Sequence, residues 1–305
     1  MKILVTGGIG FIGKYLIKIL HDNGHTVSVI DDFSNSDKKS VLFFERKGIK
    51  IFEGDIMDSD TINNVTKNQD IVIHLAAKIS VDESIKNPHE TFRINIDGTM
   101  NILHSCKKNN IKKIIIASSA AVYGEGEQNK ALTEQIHKNP TSPYGESKIK
   151  MEKEVLKYCS NNEINFVILR FFNIYGIGQT IEYAGVITKF LERIKENKSI
   201  IIFGDGKQTR DFISVHDVID SIQNAITYKK NGIFNIASGK SISINDLAKL
   251  MISLSGKELD IQIMSSKKGD IRFSQADISF AKKKLLFIPK IELKNGIKEL
   301  FLNKE

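Results

Sequence analysis

Short apolar runs alternate with amphipathic stretches along the first 170 residues of the 305-residue chain. The runs at Lys2–Thr6, Thr26–Asp31, Lys50–Phe52, Ile71–Leu75, Lys113–Ser118 and Asn165–Phe171 are nearly continuous in apolar character, as strands buried on both faces require. Between them, apolar residues recur at helical spacing near Phe11–Asn23, Asp37–Lys47, Asp60–Thr66, Pro88–Asn109 and Tyr144–Asn161. Alternation of this kind predicts an α/β domain on a doubly wound parallel sheet. After about Tyr175 the pattern changes, mixing helices near Ala184–Asn197, Val215–Thr227 and Asn245–Ser255 with short strands such as "SIIIF", "FNIAS" and "DIQIM". Residues 1–175 read as the first domain and 176–305 as a smaller mixed α/β lobe, with some later elements returning to the first.

The connection after the first strand carries chemistry. Gly7, Gly10 and Gly13 follow it at spacing G-x-x-G-x-x-G and lead into an apolar helix. The first glycine permits a tight turn, the second lets backbone N–H groups approach a pyrophosphate, and the third lets the helix pack closely on the strand. The helix N-terminus then presents free N–H groups to the phosphates. Asp31 ends the second strand, 18 residues after Gly13, where a carboxylate can bind the adenosine ribose hydroxyls. It also repels a 2′-phosphate, which favours NAD over NADP; Lys38 and Lys39 soften that preference without reversing it.

Composition narrows the function classes. Apolar content of 41% and charged content of 26% are ordinary for a soluble globular protein. No apolar run approaches the roughly 20 residues needed to span a bilayer. "MKILVTGG" offers no signal-peptide core, so a cytoplasmic location is expected. Cys106 and Cys159 lack metal-ligand spacing and read as reduced structural thiols; no metal site is expected. The formal charge of +8 comes from scattered lysines with no aromatic platform among them, which argues for a solvated surface rather than nucleic acid. A mildly positive field favours an anionic small substrate.

The strand "KKIIIASSAAVYG" ends in Ser118 and Ser119, where an α/β sheet presents its active site. Tyr144 opens the next helix, 25 residues after Ser119, and Lys148 lies four further on, on the same helical face. An ammonium beside a phenol lowers its pKa, and a free tyrosine near pKa 10 is otherwise a poor base at neutral pH. A serine hydroxyl can hold the reacting oxygen against the tyrosine.

The chain resembles the extended short-chain dehydrogenase/reductases of the sugar-nucleotide epimerase/dehydratase group, and within it most of all the UDP-hexose 4-epimerases. The likeness rests on "TGGIGFIG", "EGDI", "HLAA", "INIDGT", "SSAAVYG", "SPYGESK", "RFFNIYG", "GDGKQTRDFISVHDV" and "GDIRFSQADI", which stand in family order. It implies a Rossmann-type fold with NAD, and Ser119, Tyr144 and Lys148 as the catalytic residues. Gly7, Gly10, Phe11, Ile12, Asp31, Asn35, Asp55, Ile56, Leu75, Ala76, Ala77 and Asn95 match the family's cofactor contacts, with Tyr144 and Lys148 also serving the cofactor. Asn173, Val186, Phe203, Arg210 and Asp270, with Ser119, match residues that hold the substrate. Where the family has an arginine three residues before that aspartate, this chain has Lys267; Arg272 is a candidate substitute in the phosphate clamp.

The same resemblance separates reaction types. The 4,6-dehydratases carry an Asp-Glu pair where this chain has Ala120 and Ala121, the uronic acid decarboxylases a glutamate at the first of these, and the 3,5-epimerases a cysteine at the second. Without those acids and thiols, proton and hydride transfer remain, which implies 4-epimerisation of a UDP-hexose. A nucleotide-sugar 4-reductase and a non-catalytic dinucleotide sensor are the alternatives. Ser274, four positions after Asp270, occupies the place that lies against the sugar 2-substituent; its small side chain implies room for an N-acetyl group, so UDP-GlcNAc/UDP-GalNAc join UDP-glucose/UDP-galactose as candidates. A homodimer is also implied, paired through the helices Pro88–Asn109 and Tyr144–Asn161 with Met100, Leu103, Met151 and Leu156 in the stripe.

Overall fold

The six apolar runs of the first 170 residues form parallel strands, joined by the helices between them. The computed structural model describes residues 1–35, 38–180, 185–266 and 269–303, without the side chain of Lys38. In chain order the first part runs β1 (Lys2–Thr6), α1 (Phe11–Asp22), β2 (Thr26–Asp31), α2 (Lys38–Arg46), β3 (Lys50–Glu53), α3 (Ser59–Val65) and β4 (Ile71–His74). It continues with α4 (Val81–Lys86), α5 (Pro88–Phe92), α6 (Thr99–Lys108), β5 (Lys113–Ser119), α7 (Pro143–Asn162) and β6 (Asn165–Phe171). The second part holds β7 (Asn173–Tyr175), α8 (Val186–Lys195), β8 (Ile200–Phe203), β9 (Thr209–Ser214), α9 (Val215–Thr227) and β10 (Gly232–Ile236). β11 (Ser241–Ser243), α10 (Ile244–Ser255), β12 (Ile261–Met264) and α11 (Leu293–Leu302) follow.

The main sheet has the order β10-β6-β5-β4-β1-β2-β3, every neighbouring pair parallel. The chain winds outward from β1 to β3, then returns to lay β4 on the other side of β1. Ligands bind outside the carboxyl ends of strands at such a reversal. Alternation within β1 splits the core: Ile3 and Val5 pack on one face with Leu16, Val29 and Ile222, while Leu4 packs on the other with Ile102, Ile116 and Val155. β10, from the later part of the chain, closes the sheet beside β6.

The remaining strands form two small sheets, β11-β9-β7 and β12-β8. With α8, α10 and α11 they enclose a core around Phe190, Leu247, Met251 and Ile297. The long helix expected over Pro88–Asn109 is interrupted by a π-helical stretch, Arg93–Gly98. That stretch gives Asn95 its place: the side chain accepts from Lys78 N at 2.9 Å and donates to Lys78 O at 3.0 Å and Ser147 Oγ at 2.9 Å. Of the stripe expected at a dimer contact, Leu103 and Met151 are instead buried within the chain's own core, and Met100 packs against it. Leu156 is exposed.

Helix α7 begins where it does because Pro143 occupies the first turn and Ser142 Oγ accepts from Gly145 N at 3.1 Å. Gly145 lets that turn ride directly on the segment after β5. A Cβ there would stand 2.4 Å from Ala121 O and 2.9 Å from Pro140 Cβ. Alanine is the better helix former, by about 1 kcal/mol in a helix interior. A clash with a backbone oxygen outweighs that gain. Gly145→Ala should lower the unfolding free energy by about 1–3 kcal/mol in a urea titration. A variant at least as stable as the parent would show that the two turns are not in close contact.

Candidate active site at the strand ends

Two adjoining cavities open at the carboxyl ends of β1, β4 and β5. The smaller, about 210 Å³, is lined by Gly7, Gly10, Phe11, Ile12, Asp31, Asn35, Asp55, Ile56, Leu75, Ala76 and Ala77. Its floor is the turn into α1. Gly7 has φ +68° and a Cβ there would meet Ala76 N at 2.8 Å, while one on Gly13 would meet Gly7 O and Gly8 O at 2.5 Å. No side chain caps α1, whose N-cap is Gly10, so no side-chain acceptor competes with a ligand at its first turn. Asp31 is buried and uses both oxygens on backbone, accepting from Ile9 N and Phe33 N at 2.9 Å each. This donor-lined cradle with an acid at its far end fits a dinucleotide. Asn95 does not line it; it clamps the backbone of Lys78, which does. Lys14, Asp32, Ser34 and Gly178 also line it, with no motif in the chain to mark them.

The larger cavity, about 750 Å³, meets the first along Phe11, Ile12, Leu75, Ala77 and Ile79. Ser119, Tyr144 and Lys148 line it beside that junction. Ser119 Oγ accepts from Ala121 N at 3.2 Å and stands close enough to the Tyr144 hydroxyl to influence its ionisation. Burial pushes the Tyr144 phenol above its ordinary value, and Ser119 pulls it partly back. Lys148 is not what lowers it here, contrary to expectation. Its Nζ lies 6.0 Å from the Tyr144 ring centre and donates to Ala117 O at 3.1 Å. Burial brings Lys148 itself down to about 8, with Glu152 opposing. His74, beneath them, accepts or donates at 2.7 Å to Thr6 Oγ1 and at 3.0 Å to Thr99 Oγ1. Thr99 spends its one proton on Asn95 O, so His74 carries its own on Nε2. Burial and the Lys148 charge hold it neutral, near 3.

Away from the junction the cavity is walled by Asn173, Val186, Phe203, Arg210 and Asp270. Asn173 Nδ2 donates to Asp211 O at 2.9 Å, tying β7 to β9. Arg210 reaches Asp270 at 2.5 Å, while Asp211 turns inward to Ser238, Gly239 and Ala276. Lys267 lies outside the described residues, as does the side chain of Lys38. Arg272 does not take the clamp position: it forms a forked pair with Asp205, at 3.0 and 2.7 Å, and does not line the cavity. Ser274 is buried and lines neither cavity. Among the described residues on the wall, the carboxylates are Glu192 and Asp270, neither on the elements that carry Ser119 and Tyr144. No group of His, Cys, Asp and Glu among the described residues is arranged to hold a metal ion.

Holding a charged lysine at 3% exposure costs stability. The folded-state pKa of Lys148 is near 8 against an ordinary 10.5, so the unfolded chain binds the proton more readily between those values. The penalty is therefore full at pH 7 and fades as pH rises through that window. Lys148→Met should raise the unfolding free energy at pH 7 by on the order of 1–3 kcal/mol, and the gain should shrink toward pH 10. Urea titrations at the two pH values measure this; a destabilised variant at pH 7 would contradict it.

Known proteins resemble this chain in sequence and fold. A model of the NAD dependent epimerase/dehydratase family matches residues 3–237. A Methanocaldococcus jannaschii protein provisionally named a UDP-glucose 4-epimerase is 38% identical over 302 residues, covering 98% of this chain and 96% of its own. The UDP-N-acetyl-alpha-D-glucosaminuronate decarboxylase of Bacillus cytotoxicus is 32% identical, covering 98% and 96%. Among solved structures, the UDP-N-acetylglucosamine 4-epimerase of Methanobrevibacter ruminantium, in complex with UDP-N-acetylmuramic acid, superposes with a TM-score of 0.93 at 34% identity, covering 99% of this chain and 97% of that one. With a dinucleotide cradle joined to a serine–tyrosine–lysine site, and a family match across more than two thirds of its length, the chain belongs to the NAD dependent epimerase/dehydratase family.

Proposed function

We propose that this protein is a UDP-hexose 4-epimerase. The observation that carries the reading is that Ser119, Tyr144 and Lys148 line the larger cavity, which shares Phe11, Ile12, Leu75, Ala77 and Ile79 with the dinucleotide cradle, with alanines at 120 and 121 directly after the serine. Elimination of water calls for a further acid beside the departing hydroxyl, and the wall beside Ser119 supplies none among the described residues; in the group this chain resembles, the decarboxylases likewise carry a glutamate where Ala120 stands. Decarboxylases and dehydratases among the relatives make this local feature, rather than overall similarity, the deciding one.

Gly7, Gly10, Phe11, Ile12 and Asp31 would hold NAD in the smaller cavity, with Tyr144 and Lys148 serving its reacting end. When bound, NAD supplies a reversible two-electron acceptor. Tyr144, as its phenolate, takes the proton of the sugar 4-hydroxyl as C4 is oxidised to the ketone, and Ser119 holds the 4-oxygen. Burial favours the protonated phenol in the free protein, so Tyr144 gives its own proton to solvent before the first turnover, and the positive charge of Lys148 stabilises the phenolate left behind. Asn173, Val186, Phe203, Arg210 and Asp270 hold the nucleotide diphosphate half, which leaves the 4-keto sugar free to turn. Tyr144 then returns its proton as C4 is reduced on the opposite face. Proton and electron pair both come back to the sugar, so the cycle needs no external reductant.

A homodimer is part of the same reading, joined through α6 and α7, where Leu156 is exposed and the Tyr158 ring packs edge-on to His104 at 5.1 Å. Light scattering at micromolar concentration should give twice the 34.3 kDa chain mass; the single-chain mass would remove the dimer.

For the reaction, purified protein should interconvert UDP-glucose and UDP-galactose, or UDP-GlcNAc and UDP-GalNAc, without added cofactor. Tyr144→Phe should keep the fold and lower turnover by about 10²–10⁴-fold, the usual worth of a positioned proton acceptor. Release of carbon dioxide from a UDP-uronate, a 4-keto-6-deoxy product, or stoichiometric consumption of NAD(P)H would each replace the epimerase reading with another.

A further inference from the structure

A second ionic group lies behind the site and takes no part in the steps above. Glu152 follows Lys148 by one helical turn and Tyr144 by two, so all three share one face of α7, and all three are buried. The Glu152 carboxylate accepts from Arg170 Nε at 2.9 Å and from its Nη2 at 2.6 Å, a two-point pairing. Its Oε1 also accepts from Ser118 Oγ at 2.6 Å. Arg170 is 1% exposed and extends the network: Nη1 donates to Tyr123 Oη at 2.8 Å and to Glu134 O at 3.1 Å. Tyr123 in turn donates to Asn235 Oδ1 at 2.5 Å, and Asn235 N to Glu134 Oε1 at 2.9 Å.

The network joins α7, β5, β6, β10 and the segment between β5 and α7 in a core otherwise filled with Ile, Val and Phe. Buried ion pairs of this kind can often be replaced by apolar residues without loss of stability, so stability alone does not account for one. Its position does offer an account. Ser118 precedes Ser119, and Lys148 Nζ bonds to Ala117 O on the same strand end. The carboxylate thus holds the end of β5 against α7 within one residue of each catalytic contact, and it is a negative charge facing Lys148.

We propose that the Glu152–Arg170 pair is a positioning device for the catalytic site, fixing the end of β5 against α7 and keeping Lys148 charged. This rests on the reading of Ser119, Tyr144 and Lys148 as the reacting groups. The titratable groups facing Lys148 among the described residues are His74 from β4 and Tyr144 and Glu152 from α7. His74 is held neutral and Tyr144 is protonated, which leaves Glu152 as the anion. Arg170 from β6 lies on its far side, and Lys138, from the segment before α7, also feels the pair.

Two variants test it with the full chain and bound NAD. Glu152→Gln keeps the shape and removes the charge. The double variant Glu152→Met with Arg170→Met removes both charges and leaves neither partner unpaired, so it folds even where the single variant does not. In each, the alkaline limb of the kcat–pH profile should move down by about one pH unit, lowering turnover about fivefold at pH 8, about tenfold at pH 9 and little at pH 6. Ser118→Ala should lower kcat without moving that limb. A merely structural pair predicts otherwise: activity falling in step with thermal stability and an unmoved alkaline limb in the double variant, which would overturn the proposal. Tyr144→Phe, assayed alongside, separates the two failures. If it is inactive while the double variant matches wild type at every pH, the positioning role is wrong and the catalytic assignment stands. If it is fully active, the catalytic assignment itself falls.

Discussion

The contact on which the site depends is the one between the first turn of α7 and the segment after β5. Gly145 faces Ala121 O so closely that no side chain fits between them. That proximity brings Tyr144, from the helix, to Ser119, from the strand end, although 25 residues separate them in the chain. Ser142 and Pro143 start the helix at the right residue, and glycine lets it come near enough. Capping sets the rotation of the helix, and steric clearance sets its height. Both are needed to bring the serine and tyrosine hydroxyls near one another.

A similar limit governs the other half of the site. α1 must approach β1 and β4 until backbone meets backbone, and Gly7 and Gly13 are the positions where a Cβ would prevent it. What results is a cradle of N–H groups and an inward carboxylate, Asp31, preorganised by two backbone donors. Because the acid is already fixed by Ile9 and Phe33, a ribose meets an acceptor that loses little freedom on binding.

Electrostatics at the junction works against stability. Lys148 is charged in a place where burial favours the neutral form, His74 stays neutral below it, and burial favours the protonated form of Tyr144. Functional sites concentrate such perturbed groups. On the substrate side, Arg210 shares its charge with Asp270, while the buried Asp211, pushed up to about 6 by burial, is held by Ser238 and by three backbone N–H groups that stitch β9 to the segments near it. Adjacent residues of one strand, alternating in direction, therefore serve the cavity and the core.

Much of this was legible in the residues alone. The strand–helix alternation, the glycine spacing, the acid after β2 and the Tyr144–Lys148 interval on one helical face are local patterns, and local periodicity follows directly from backbone geometry. The tertiary structure decided what sits opposite what. It sent β10 back to the main sheet, turned Arg272 toward Asp205 and buried Ser274 away from both cavities. It also moved Asn95 from the cavity wall to a post behind Lys78, and placed Leu103 and Met151 in the chain's own core. Nor could the pattern reveal that Lys148 bonds to Ala117 and faces Glu152 instead of depressing Tyr144. Those outcomes depend on desolvation and on partners far apart in the chain, and neither is encoded in the spacing of neighbouring residues.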